Sequence, residues 1–239
     1  MSIKMSRIKK LPKLVDPKIF WEDKILNWEH GRYHNSGPDS DLESVANKAS
    51  NSLRFRLSEG VRLLKPHVKN KRIIDIGCGS GLIAEEFLLH GAKSYLGIDI
   101  AENAVLKGNK RLKAAGLAKK AKLICKSIEQ MGDLNGDIIL SLGLLDWLTN
   151  EEIARIFRNS ADKIFLHSIS EKRISLEQIL HRIYVQISYG HRTGAYRPIY
   201  HSVAQIRTLA QDNNIEEFFV HRDRRLSFGA FIMSFQPTH

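Results

Sequence analysis

Acidic residues are scarce in this chain: 26 aspartates and glutamates stand against 37 lysines and arginines, a formal net charge of +11. Such a field favours anionic partners, among them nucleic acid and phosphorylated metabolites, and says nothing about fold. The run Lys107, Lys110, Arg111, Lys113, Lys119, Lys120 and Lys122 reads equally well as the solvated outer face of a helix and its following loop. Cysteine is rarer still. Cys78 and Cys125 are the only two, which excludes a disulfide framework and leads to the expectation of a reducing cytoplasm. Long apolar runs are missing too. The longest, Ile138 to Leu145, is broken by Ser141 and Gly143, far short of the roughly 20 residues of a membrane span, so a soluble protein is expected. The N-terminus has no acid before Asp16 and carries Lys4, Arg7, Lys9, Lys10 and Lys13, yet no apolar stretch follows as a secretory signal requires. No histidines and cysteines share a metal-ligand spacing, and no internal repeat is found. What remains, 239 residues with 43% hydrophobic content, suffices for one good core.

Periodicity divides the chain. Ile19, Phe20, Trp21, Ile25, Leu26 and Trp28 recur at near-helical spacing, and a second helix is expected from Asp41 to Leu64, ended by Pro66. Together with the basic terminus these make a lead-in over residues 1–64, ahead of a core over 65–239. In that core, strands are expected at Arg72–Ile76, Ser94–Asp99, Lys122–Cys125, Asp137–Leu142 and Lys163–Ser168, with helices at Leu82–His90, Ala101–Ala115 and Glu151–Ser160 between them. Strands and helices alternating at this spacing predict a parallel sheet covered on both faces. The rhythm then breaks. Residues 171–200 are polar and aromatic, and the helix Val203–Asn213 and an antiparallel hairpin of Ile215–His221 with Ser227–Phe235 follow.

The chemistry is concentrated at Asp75-Ile-Gly-Cys-Gly-Ser-Gly81, which follows a β-branched strand and opens a helix. Glycine removes the Cβ atoms that would hold the backbone away from a ligand. Asp99 closes the next strand, where a carboxylate can accept from two ribose hydroxyls. An NAD-binding fingerprint would place glycine or alanine at position 82, which is Leu82. The order of Asp75, Gly77, Gly79 and Gly81 instead resembles the first motif of class I S-adenosylmethionine-dependent methyltransferases, and the resemblance extends over residues 71–168.

That resemblance implies an α/β fold with a doubly wound, mostly parallel seven-stranded sheet, its last strand antiparallel, plus N-terminal helices and a helical insertion after the fifth strand. It implies S-adenosylmethionine as cofactor: the loop Asp75, Gly77, Cys78, Gly79 and Gly81 at the methionine end, Asp99 on the ribose, and Ile100 as an apolar wall for adenine. Many relatives carry an acid after the third strand that meets the adenine amino group. Here Ser127 stands in that place, so adenine recognition falls to the Ser127 hydroxyl, the Ile128 backbone or Glu129, which reads equally as a solvated loop acid.

Methyl transfer from a sulfonium is an in-line displacement that needs alignment and exclusion of water rather than a nucleophilic side chain. The segment from Ser141 to Leu148 resembles the turn beside the transferring methyl group, with Gly143 allowing close approach. Asp146 is a candidate proton acceptor or a helix cap, and Trp147 faces the acceptor or joins the core. His167, near the end of the fifth strand, is the second candidate base. The insertion, with Tyr184, Tyr196 and Arg197, is expected to cap the acceptor through planar and cationic contacts, and Trp28, Arg32, Tyr33 and His34 are candidates to close over the cofactor. The leading expectation is transfer to an oxygen or nitrogen of a small or medium metabolite, with anionic and sugar-containing acceptors among the candidates. The alternative is an RNA methyltransferase, in keeping with the charge, although the chain lacks both an Asn/Asp-Pro-Pro-Tyr motif and a Pro-Cys nucleophile. A third reading is a noncatalytic S-adenosylmethionine-binding protein.

Overall fold

The computed structural model describes residues 15–33, 55–173, 178–179, 196–226 and 229–237, without the side chains of Trp28 and of residues 30–33. A seven-stranded sheet has the order β3-β2-β1-β4-β5-β7-β6. Its strands are β1 (Arg72–Ile76), β2 (Ser94–Asp99), β3 (Ala121–Cys125), β4 (Ile138–Ser141), β5 (Ile164–Ser170), β6 (Phe219–His221) and β7 (Gly229–Met233). The first five pair in parallel, and β7 runs antiparallel between β5 and β6. The expected sheet, its antiparallel last strand and the closing hairpin are all present.

Side chains that alternate along each strand divide the core in two. Ile73, Ile138, Leu140, Phe231 and Met233 face one layer, with the helical residues 55–64, α3 (Ala84–Leu89) and α4 (Glu102–Ala114) over them. Ile74, Ile76, Ile139 and Ile232 face the other, under α5 (Asn150–Ser160) and α6 (Val203–Gln211). Both α5 and α6 start at capping boxes, Thr149 with Glu152 and Ser202 with Gln205, in which side chain and backbone satisfy each other's free groups.

Several boundaries differ from expectation, and three of the differences have a local cause. The helix after the glycine loop starts at Ala84 rather than Leu82, because Gly81 at φ +67° carries a further turn before helical geometry begins. Strand β5 runs on to Ser170, where it still has Gly229 as a partner. Strand β6 begins only at Phe219, since its neighbour β7 ends opposite at Met233 and Ile215 has no strand to pair with. Residues 41–54 of the expected second helix lie outside the described residues, as does most of the insertion. Its two ends meet at a parallel bridge between Glu171 and His201. There His201 N donates to Ser170 O and Lys172 N to His201 O, which lays residues 196–201 alongside the turn after β4. Among the described residues no helix is long and apolar enough to cross a membrane.

The helix α1 (Pro17–Tyr33) packs across α4, at the carboxyl ends of the strands. Both carboxylate oxygens of Glu22 accept from the first free backbone N–H groups of α4, Glu102 N at 2.7 Å and Asn103 N at 2.9 Å. A helix N-terminus left without a capping side chain of its own (Ala101 stands at that position) is thus capped by a neighbouring helix.

Candidate active site

A cavity of about 510 Å³ opens at the carboxyl ends of β1, β2 and β4 and is roofed by α1. This is where ligands gather in open parallel sheets, because the loops diverge there on either side of the switch in strand order. Its floor is built by the glycine loop. Gly77 N and Cys78 N both donate to Ile98 O, at 2.8 and 3.2 Å, folding the loop back over β2. Gly77 and Gly79 adopt φ of +73° and +55°, open to glycine at little cost. A Cβ on Gly77 would press on Leu144 at 3.0 Å, and one on Gly79 would run into Glu29 Oε1.

Asp99 ties this loop to the next one. Its carboxylate accepts from Gly79 N at 2.7 Å and from Ala101 N at 2.9 Å while facing the cavity. Burial raises its pKa, and the two N–H groups pull the other way. Asp75 lies deeper, where Tyr95 Oη donates to it, and desolvation lifts its pKa to about 7. Burial likewise pushes the Cys78 thiol well above its ordinary range, so this cysteine is not a thiolate nucleophile.

Most of the expected contacts meet here. Gly77, Asp99, Ile100, Ser127, Ile128, Gly143, Trp147, Tyr196 and Arg197 all line the cavity. Asp75, Cys78 and Gly79 line a recess of about 50 Å³ whose wall includes Ile25, Gly77 and Leu142, three residues of the main cavity. Gly81 does not reach either space. Its φ of +67° and its close packing on Leu123 make it part of the turn rather than a contact. Ser127 and Gln130 close a capping box on a short helical turn, and Ile128 is turned inward. Tyr184 lies outside the described residues.

The two expected proton acceptors are placed elsewhere, and both expectations need correction. Asp146 is only 4% exposed and absent from the cavity wall: its Oδ1 accepts from Ser170 N at 2.6 Å, its Oδ2 from Ser170 Oγ at 2.7 Å, and Arg56 lies 3.7 Å away. The carboxylate anchors the turn after β4 to the end of β5. His167 is fully buried between Ser141 Oγ, 2.9 Å from Nδ1, and Ser160 Oγ, 3.0 Å from Nε2. Ser160 donates its own proton to Ile156 O, so Nε2–H donates to Ser160, and Nδ1 accepts from Ser141. Desolvation drives the imidazole pKa down to about 3, and a neutral ring within the sheet reaches no substrate.

The structure adds a wall that sequence reading passed over. Trp21 and Ile25 of α1 line the cavity, and Glu29 lines the recess: four-residue steps along one helical face. Trp21 meets Trp147 edge-on at 4.9 Å, and its Nε1 donates to Tyr196 Oη at 2.9 Å. Tyr196 also lies 5.4 Å from Trp147, and its hydroxyl is pushed up to about 12 by burial. Phe20 packs behind all three rings. The signal for this wall lay in the spacing of Trp21, Ile25 and Glu29, whereas the side chains of Trp28, Arg32, Tyr33 and His34 lie outside the described set.

Comparison with known proteins agrees with this geometry. Residues 73–163 match the family model described as Methyltransferase domain. Over 74 residues the chain is 39% identical to the ribosomal protein L11 methyltransferase of Haemophilus influenzae (strain PittEE), covering 31% of this chain and 25% of that protein. Over 122 residues it is 31% identical to the tRNA U34 carboxymethyltransferase of Vibrio cholerae serotype O1 (strain ATCC 39541), covering 49% of this chain and 34% of the other. The chain thus spans a quarter to a third of the length of these curated relatives. Among solved structures, magnesium protoporphyrin IX methyltransferase from Synechocystis PCC 6803 with bound SAH superposes with a TM-score of 0.68 at 18% identity, over 90% of this chain and 96% of that one. The methyltransferase SibL in its apo form gives 0.63 at 14% identity, over 95% and 71%.

Proposed function

We propose, for a chain that belongs to the class I S-adenosylmethionine-dependent methyltransferase superfamily, transfer of a methyl group from S-adenosylmethionine to an oxygen or nitrogen of a small or medium acceptor with a planar part. The observation that carries this reading is the single cavity shared by the glycine loop, Asp99 and the aromatic wall of Trp21, Trp147 and Tyr196. The residues fit such a cofactor. Gly77 takes positive φ on the cavity wall, Asp99 ends β2 facing the cavity, and Ile100, Ile128 and Met131 provide an apolar slot beside the Ser127 hydroxyl. When bound, S-adenosylmethionine supplies an electrophilic methyl carbon on a sulfonium. What the protein's own residues must add is modest, namely to hold the acceptor in line and keep water out.

The aromatic wall does both, since its rings offer planar faces at low entropic cost and close the side of the cavity under α1. Lys126 and Arg197 lend positive charge for an anionic group on the acceptor. Of the two carboxylates on the described cavity wall, Asp99 has both oxygens occupied, by Gly79 N and Ala101 N, whereas Glu152 uses only Oε2, for Thr149 N of its capping box, which makes Glu152 the better placed to accept a proton from the acceptor.

An RNA acceptor is the second reading, favoured by the net charge of +11 and by the tRNA-modifying relative. A steep fall of RNA retention with salt would support it, and salt-independent weak retention would remove it. The cofactor assignment is tested by calorimetry with S-adenosylmethionine and S-adenosylhomocysteine on the parent, Gly79→Arg and Asp99→Ala. Binding by the parent that is lost in both variants supports the reading; a folded parent that binds neither ligand overturns it.

A further inference from the structure

Two carboxylates of α1 reach across to backbone N–H groups, and they differ in one respect. Glu22 uses both of its oxygens on the start of α4. Glu29 uses one: its Oε1 accepts from Ser80 N at 2.7 Å, while its Oε2 is shut off from solvent and has no hydrogen-bond partner among the described residues. Glu29 is itself only 7% exposed. A carboxylate oxygen kept from both water and protein donors is costly, and such a group is ordinarily satisfied by something that binds there.

Its surroundings define what that something is. The recess that Glu29 lines holds Asp75, and the neighbouring Asp99 reaches into the same loop. Three acids therefore crowd around Gly77, Cys78 and Gly79, and no lysine, arginine or histidine is among the described residues that line the recess. Excess negative charge in a dry pocket calls for a compact cation that also donates hydrogen bonds, which is the description of an ammonium group. The recess abuts the main cavity through Ile25, Gly77 and Leu142, so a ligand in the cavity can extend an amine into it.

We infer that Glu29 binds the α-ammonium of the methionine part of the cofactor, which makes α1 a component of the cofactor site as well as its roof. This rests on the methyltransferase reading above. Glu29→Gln retains an oxygen for Ser80 N and removes the charge, so the helix keeps its contact with the loop.

The test is binding by calorimetry of S-adenosylhomocysteine and of its deaminated analogue, in which a ketone replaces the amine, to the parent and to Glu29→Gln. The variant is expected to bind S-adenosylhomocysteine roughly ten- to a hundredfold more weakly, the range for a lost charge-assisted hydrogen bond, and the ketone as the parent does. Equal weakening toward both ligands would show that Glu29 only holds α1 in place, and no weakening toward either would show no contact; both overturn the inference while the cofactor assignment stands. A parent that binds neither ligand overturns the cofactor assignment itself, and this inference with it.

Discussion

Replacing Asp146 with alanine is expected to damage the fold before it touches chemistry. Substitution removes the acceptor of Ser170 N and of Ser170 Oγ and strips the only counter-charge from Arg56 among the described residues, where the Arg56 side chain is 8% exposed and its Nε has no partner. Breaking one side of a buried charge pair costs about 3–5 kcal/mol, because the remaining charge and the freed donors stay buried. Urea unfolding followed by far-UV circular dichroism should show the midpoint falling by roughly 1–2 M, given a slope toward the upper end of the usual range of about 1–3 kcal/mol per molar urea. Asp146→Asn, which keeps one acceptor oxygen, should lose about 1–3 kcal/mol. The double variant Arg56→Met with Asp146→Ala should recover part of the loss, since no orphaned cation remains. An Asp146→Ala protein that unfolds at the parent's midpoint yet has lost turnover would refute this reasoning and return Asp146 to a chemical role.

Two further outcomes follow from buried titratable groups. His167 is held neutral down to about pH 3, whereas an unfolded histidine takes up a proton near pH 6.5, so the unfolded state binds more protons between those values. Stability from His167 is full above about pH 6.5 and falls by up to about 1.4 kcal/mol per pH unit below it. In urea titrations at several pH values the gap between the parent and His167→Gln should narrow as pH falls; a gap that does not change with pH would contradict the assignment. Asp75, with a pKa near 7 from burial, should lose its proton when an ammonium group binds beside it. Calorimetric heats of S-adenosylhomocysteine binding at pH 7 should therefore differ between phosphate and Tris buffers, affinity should rise with pH through about 7, and Asp75→Asn should abolish both dependences.

The strands and helices of the core were legible because their signals are local. The short β-branched run of Ile73, Ile74 and Ile76, and glycines at the positions where the backbone takes positive φ, specify a strand and a tight glycine loop without reference to anything distant. Asp99 was equally legible as the polar end of an apolar strand. The proton acceptors were not, because where a strand residue points depends on which strands flank it. Pairing of Ser141 with His167 in the β4–β5 register sets the two side chains together, and the imidazole is held between the sheet and α5, against Ser160, rather than at the strand ends.

The lead-in helix shows the same division in another form. Its sequence carries a face of Trp21, Ile25 and Glu29, but nothing local says what that face covers. Docking α1 on the start of α4 through Glu22 sets Trp21 against Trp147 and Tyr196, residues far apart in the chain. By itself the sequence determined a doubly wound sheet and the glycine loop proposed to hold the cofactor, both products of hydrogen-bonding and periodicity over a few residues. Only the tertiary structure decided which acids face the cavity, which are consumed as anchors, and that an N-terminal helix completes the site, because those outcomes depend on contacts between elements that no local pattern encodes.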